Sequence, residues 1–122
     1  MKVTVFGGSG FLGSHVADHL SRGGHQVTIF DLCASPYLQA DQKMIAGNIL
    51  NIAEVQKAVK GADAVYNFAG EADIESAADN PTATIQTNVM GNANILEACR
   101  SANVKRYIFA STVYVYSGVG SF

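Results

Sequence analysis

Cysteine is scarce in this chain. Cys33 and Cys99 stand far apart, form no Cys-x-x-Cys and are too few to build a disulfide framework. They read as reduced thiols, which points to a cytoplasmic protein. Charge is scarce as well, at 15% of residues against 48% hydrophobic, and the net charge is only -2. That balance excludes a disordered chain and removes the basic surface that nucleic acid or an anionic membrane would require. No apolar run approaches the roughly 20 residues that cross a bilayer. The opening "MKVTVFGG" is too short and too glycine-rich for a signal peptide. Linkers, charge blocks, low-complexity segments and repeats are also missing. A length of 122 residues allows one domain with a real core and no second one.

Glycine, by contrast, is concentrated. In "FGGSGFLGSHVADHL" (Phe6 to Leu20) four glycines fall within seven residues, directly after a short apolar run. Glycine is costly in backbone entropy, so such density implies that something approaches the main chain closely. Gly7, Gly10 and Gly13 follow a G-x-x-G-x-x-G spacing, a variant of the dinucleotide fingerprint. The first glycine permits a tight turn, the second lets a pyrophosphate lie against the backbone, and the third lets helix and strand pack closely. The first-turn amides of the following helix, those of Phe11 and Leu12, then face the anion, helped by the helix dipole.

The rest of the chain alternates between two periodicities. Val3–Phe6, Gln26–Phe30, Lys43–Ala46, Asp63–Phe68 and Arg106–Ala110 are short, β-rich and bounded by turn residues, as suits parallel strands covered on both faces. Leu12, Val16 and Leu20 predict one apolar helical stripe, and Ile52, Val55 and Val59 a second. A long helix is predicted from Pro81 to Ala102 with Ile85, Val89, Ile95, Leu96 and Cys99 as its apolar positions, Asn80 as N-cap and Pro81 as first residue. Strand and helix alternating four times over predicts an α/β fold, a Rossmann-type doubly wound parallel sheet of strand order 3-2-1-4-5. The sequence stops a dozen residues past the fifth strand, with no helix to cover it, and so reads as truncated.

Asp31 ends the second strand, 18 positions beyond Gly13. A carboxylate there accepts hydrogen bonds from both ribose hydroxyls of adenosine and repels a 2′-phosphate. No arginine adjoins it in "FDLCASP", which favours NAD over NADP.

With these residues placed, the chain resembles the extended short-chain dehydrogenase/reductases, specifically the NAD-dependent nucleotide-sugar epimerases and dehydratases. "AGNIL" (Ala46 to Leu50) is similar to the family's Gly-Asp-Ile/Leu after the third strand. The resemblance implies that Asn48, in place of the acid, and Ile49 hold the adenine. "VYNFAG" resembles the segment ending the fourth strand, so Phe68, Ala69 and Gly70 are implied to pass close to the pyrophosphate and nicotinamide ribose; Asn67 stands where the family often has histidine. "NPTATIQTNVMGNANILEACRSANVKRYIFAST" resembles the long helix with its Asn-Val-x-Gly and Leu-Glu-Ala elements, followed by the fifth strand. There Asn92 replaces the usual threonine, and Asn88 is implied to brace the backbone near the active site. "FASTVYVYSG" corresponds to Ser-Ser-x-x-Val-Tyr-Gly: Thr112 falls on the residue that hydrogen-bonds the reacting sugar hydroxyl, Ser111 on its neighbour, and Ser117 replaces the final glycine.

One element of that family is absent. Its general base is the tyrosine of Tyr-x-x-x-Lys, activated by the lysine and by the nicotinamide charge. Tyr37, Tyr66, Tyr107, Tyr114 and Tyr116 all lack a lysine four residues on. The resemblance therefore implies that residues 1–122 are the NAD-binding portion of a longer enzyme, inert alone, with the Tyr-x-x-x-Lys helix, the remaining strands and the sugar-binding lobe lying elsewhere. Its implied partner is a small nucleotide-sugar substrate, and the longer protein is implied to be a homodimer through the Pro81–Ala102 helix. Two other readings stay open. One is a non-catalytic NAD sensor or scaffold. The other is a different reductase of the superfamily, such as a hydroxysteroid- or flavonol-type enzyme, which usually prefers NADP.

The remaining chemistry-bearing residues read plainly. His15 and His19 lie on one helix without a third ligand, so no metal is expected. Glu71, Asp73, Glu75 and Asp79 read as a solvated segment. Cys33 has no neighbour to make it a thiolate. Ser111 ends a predicted strand outside any G-x-S-x-G elbow, against a hydrolase. Tyr114 and Tyr116 read as lining or packing residues.

Overall fold

The computed structural model describes residues 1–116, apart from the side chains of Val113 and Tyr114, so the position of Ser117 and the packing of Tyr114 lie outside the described residues. Five strands, β1 (Lys2–Phe6), β2 (Gln26–Asp31), β3 (Lys43–Ala46), β4 (Ala64–Asn67) and β5 (Arg106–Phe109), form one parallel sheet in the order β3-β2-β1-β4-β5. Helix α1 (Phe11–Arg22) packs on one face; α2 (Ile52–Val59) and α5 (Asn92–Ser101) pack on the other. Alternate residues of each strand feed the two cores. Val3 and Val5 join Val27, Ile29 and Ala17 under α1, while Phe6, Phe30 and Val65 join Val55, Val59 and Ile95 under α2 and α5.

Four expectations need correction. No helix joins β2 to β3; residues 32–42 are loop and turn, because Pro36 falls in the middle of "LCASPYLQADQ" and breaks any helix across it. Leu12 and Val16 are not the buried stripe of α1. Gly13, Ser14 and Ala17 face the sheet instead, because a helix that must approach the glycine loop needs small residues there. The Pro81–Ala102 helix is interrupted. It runs as α4 (Pro81–Ile85), a π-helical turn (Gln86–Gly91) and α5, and the extra residue per turn splits its apolar positions: Ile95 and Cys99 are buried, while Ile85, Val89 and Leu96 are exposed. Finally, β5 ends at Phe109, so Ser111 lies past the strand, before a single 3₁₀ turn (Val113–Tyr116). Asn80 and Pro81 do start α4 as the sequence predicts, Asn80 accepting a hydrogen bond from the Ala83 amide. None of the described helices is long and apolar enough to cross a membrane.

The two cysteines differ sharply. Cys33 is exposed, whereas burial on the inner face of α5 pushes the Cys99 thiol up to about 11 from 9.0. The folded state therefore holds the Cys99 proton more tightly than the unfolded state. Its stabilisation is complete below pH 9 and is lost as pH rises toward 11. Thermal melts between pH 8 and 11 should show this fall, and Cys99→Ala should flatten it. At pH 8, iodoacetamide should alkylate Cys33 and spare Cys99 until the protein unfolds, as mass spectrometry of the peptides would report.

Candidate functional site

The site forms where β1 gives way to α1. The Gly7 amide donates to the Phe30 carbonyl (2.9 Å), continuing the sheet by one residue, and the chain then turns with Gly7 at φ +73°. A Cβ on Gly7 would sit 2.5 Å from the Ala69 amide nitrogen, so the left-handed conformation and the crowding both demand glycine. A Cβ on Gly13 would lie 2.1 Å from the Gly7 carbonyl oxygen, so this glycine sets the approach of α1 to the loop. Gly10 differs from both. Its nearest obstacle to a Cβ is 3.4 Å away, an ordinary contact, so packing alone does not require glycine there. Gly10 is also the N-cap of α1, with no side chain to satisfy the first-turn amides and no acidic residue in that turn. This helix end is arranged to meet an anion.

A cavity of about 480 Å³ opens beside the loop at the carboxyl ends of the strands. Gly7, Ser9 and Gly10 form one wall, and Asp31 with Leu32 and Cys33 forms the next. The Ser9 amide donates to Asp31 Oδ2 (2.9 Å) and the Ser9 hydroxyl to the Cys33 carbonyl (2.8 Å), which ties the end of β2 to the glycine loop. A carboxylate has more acceptor capacity than one bond uses, so Asp31 retains oxygen lone pairs for a diol.

The opposite wall is the Gly47–Leu50 turn, held from behind by α2 and α5. Asn51 caps α2, and Glu54 of its first turn reaches back to the Asn48 amide (2.8 Å) and to Asn51 Nδ2 (2.9 Å). Asn94 of α5 donates to the Ile49 carbonyl (2.9 Å). Asn48 and Ile49 both line the cavity, though Asn48 Oδ1 is engaged by the Leu50 amide, and Ile49 is 8% exposed and seated against Gly91.

Phe68, Ala69 and Gly70 continue β4 along the floor and separate this cavity from a second one of about 610 Å³, so all three line both. Asn67, 1% exposed, sits beneath them: its Oδ1 accepts from the Ala69 amide (3.0 Å), and its Nδ2 donates to Asn92 Oδ1 (3.0 Å) and to the Tyr107 hydroxyl (3.0 Å). The Tyr107 hydroxyl in turn donates to Asn92 Oδ1. Burial raises the pKa of that hydroxyl, keeping it a donor. Asn88 clamps the next residue, accepting from the Glu71 amide (2.7 Å) and donating to its carbonyl (2.9 Å).

The second cavity gathers Leu12, Asn88, Ser111 and Thr112 around the same floor. Of the residues singled out in the sequence, the first cavity thus brings together Gly7, Gly10, Asp31, Asn48, Ile49, Phe68, Ala69 and Gly70. Phe11 and Gly13 line neither; the Phe11 ring is 83% exposed and rests on His15 at 4.8 Å between centroids. Sequence reasoning missed Ser9 and Thr87, which also line the first cavity. Ser9 was legible as the polar residue inside the glycine loop. Thr87 was not, because its placement depends on the π-helical turn. Among the described residues no three His, Cys, Asp or Glu side chains group as metal ligands. The acidic segment is spent locally: Asp73 caps α3 (Ile74–Asp79), and Glu71 accepts from the Asp73 amide. Tyr116 is 55% exposed.

A glycine loop capping a helix, an acidic residue at the end of β2 and a cavity at the switch point of a 3-2-1-4-5 sheet define a dinucleotide-binding Rossmann domain. The model of the NAD dependent epimerase/dehydratase family matches residues 3–121, and the chain belongs to that family, whose cofactor is NAD. A UDP-glucose 4-epimerase from Klebsiella pneumoniae is 35% identical over 128 residues, spanning 95% of this chain and 92% of that relative. Among solved structures, the UDP-glucose 4-epimerase of Thermotoga maritima with UDP-glucose superimposes with a TM-score of 0.87 at 28% identity, over 92% of this chain and 38% of that one. The Brucella ovis enzyme in complex with NAD gives 0.89 at 29% identity, over 99% and 38%. The chain spans about a third of the length of other curated relatives, such as a reductase and a steroid dehydrogenase.

Proposed function

We propose that this chain is the NAD-binding portion of a nucleotide-sugar epimerase or dehydratase that works by transient oxidation of a sugar carbon. The observation that carries the reading is Asp31, fixed by the Ser9 amide at the rim of the same cavity that the glycine loop lines. Gly7, Gly10 and the first-turn amides of Phe11 and Leu12 seat the pyrophosphate. Asp31 holds the adenosine ribose, and the Gly47–Leu50 turn with Asn48 and Ile49 receives the adenine. Phe68, Ala69 and Gly70 carry the chain past the nicotinamide end. When bound, NAD supplies a reversible hydride acceptor. Ser111 and Thr112 border the second cavity, where Thr112 orients the hydroxyl of the substrate. The UDP-glucose held by the Thermotoga maritima relative supports a nucleotide sugar as that substrate.

No tyrosine of this chain precedes a lysine by four positions, so residues 1–122 by themselves should not turn over UDP-glucose. The general base and the sugar lobe belong to the additional length that the solved relatives possess. Ile85, Val89, Met90 and Leu96, all exposed along the α4–α5 segment, supply the apolar face through which the longer protein pairs with its copy. Reading the coding sequence beyond Phe122 separates this proposal from a non-catalytic NAD sensor: a Tyr-x-x-x-Lys shortly downstream supports the enzyme, and an immediate stop codon supports the sensor. Asp31→Arg should reverse cofactor choice. NAD affinity should fall roughly 10- to 100-fold, the worth of a charge-assisted hydrogen bond, while NADP binding should strengthen, as paired fluorescence titrations would show. An unchanged NAD affinity would remove Asp31 from the site.

A further inference from the structure

Two of the positions at which this chain departs from the pattern it resembles, Asn67 and Asn92, lie 25 residues apart in sequence and touch in space. Tyr107 completes the group from the neighbouring strand. Asn92 and Tyr107 line neither cavity. Their bonds nevertheless settle how the Asn67 amide points. The two acceptors lie too close together to take separate N–H groups, so the Asn67 amide shares an N–H between Asn92 Oδ1 and the Tyr107 oxygen, leaving its own Oδ1 facing the Ala69 amide. Turned over, the amide would set oxygen against oxygen at Asn92 and N–H against N–H at Ala69. Only one orientation satisfies a side chain this deeply buried.

We propose that Asn92 and Tyr107 are positioning residues for the cofactor site, holding the Asn67 amide in the one orientation that pins Ala69 and with it the Phe68–Gly70 floor shared by both cavities. Each partner covers for the other, since either one leaves Asn67 a single acceptor. The signature is therefore a loss much greater for the pair than for its members. The effect on cofactor affinity rests on the NAD reading above; the fixing of Ala69 does not.

The test compares Tyr107→Phe, Asn92→Ala, the double variant, and Tyr107→Phe combined with Asn92→Asp, which keeps an acceptor oxygen of the same reach. Two quantities are read at a fixed interval below the melting temperature of each variant: hydrogen exchange of the Ala69 amide, and the dissociation constant for NAD. Each single variant should speed Ala69 exchange several-fold and weaken NAD by no more than about twofold. The Phe/Ala pair should weaken it about tenfold with much faster Ala69 exchange, and the Phe/Asp pair should return to the level of Tyr107→Phe. Unchanged Ala69 exchange in the Phe/Ala pair overturns the proposal, as does an affinity loss that is only the product of the singles. If the Phe/Ala pair does not fold, the single Asn92→Ala decides, through Ala69 exchange that Asn92→Asp restores or through exchange that never changes. If the native chain does not bind NAD, the exchange data still settle the positioning role, and the NAD reading alone falls.

Discussion

Gly13→Ala is expected to cost the folded state about 3 kcal/mol or more and to abolish NAD binding with it. The added Cβ meets the Gly7 carbonyl oxygen at 2.1 Å, the Gly7 carbonyl carbon at 2.8 Å and the Gly8 Cα at 2.8 Å, all main-chain atoms of the loop that must keep its turn. No rotamer change relieves a clash with backbone, so α1 must lift off the sheet. Lifting it uncovers Ala17 and the valines beneath. Gly10→Ala is the informative contrast. Its Cβ would have only the Gly7 oxygen at 3.4 Å, so urea unfolding should change by less than about 1 kcal/mol. It would nevertheless project a methyl group where the pyrophosphate lies against the backbone, and NAD affinity should drop at least about tenfold. Stability lost at Gly13 and affinity lost at Gly10 would separate the two duties of a single motif. Equal stability losses at both would deny the second duty.

Phe30→Ala is expected to destabilise by about 3–5 kcal/mol, as for other large aromatics removed from a core. Its ring is wholly buried, lies 4.9 Å from that of Phe6, and would meet a Cβ on Gly47 at 2.6 Å. It also stands in the wall of the first cavity, between Asp31 and the Gly47–Leu50 turn. The cavity left behind would let that turn sink. NAD affinity should then weaken even in stabilising osmolyte, where urea titration shows the variant fully folded. Phe30→Leu, which refills most of the volume, should recover most of the stability and part of the affinity.

The fold was legible because its strands are near-continuous apolar runs separated by turn residues, and right-handed crossovers leave few ways to order them. The place of Asp31 at the rim of the cavity was legible because it ends the second strand beside the glycine loop. The failures share a cause. Apolar spacing locates a buried stripe only when the helix is regular and its partner surface is smooth. On α1 the glycine loop forces small residues inward and pushes Leu12 out to 52% exposure. Along Pro81–Ala102 the π-helical turn shifts the register, so that Thr87 and Asn88, adjacent in sequence, serve adjoining cavities. The Asn67–Asn92–Tyr107 group was invisible for another reason: each residue taken alone is an ordinary polar substitution, and only tertiary contact makes them one network. Asn48 lines the cavity, with its side-chain Oδ1 turned toward the Leu50 amide.

Isothermal titration of this chain with NAD and, separately, NADP addresses the central claim most directly. The loop and Asp31 together predict saturable one-to-one binding of NAD, with NADP weaker by at least about tenfold because its 2′-phosphate meets a carboxylate. Tighter binding of NADP, or heat from neither nucleotide, would contradict the account.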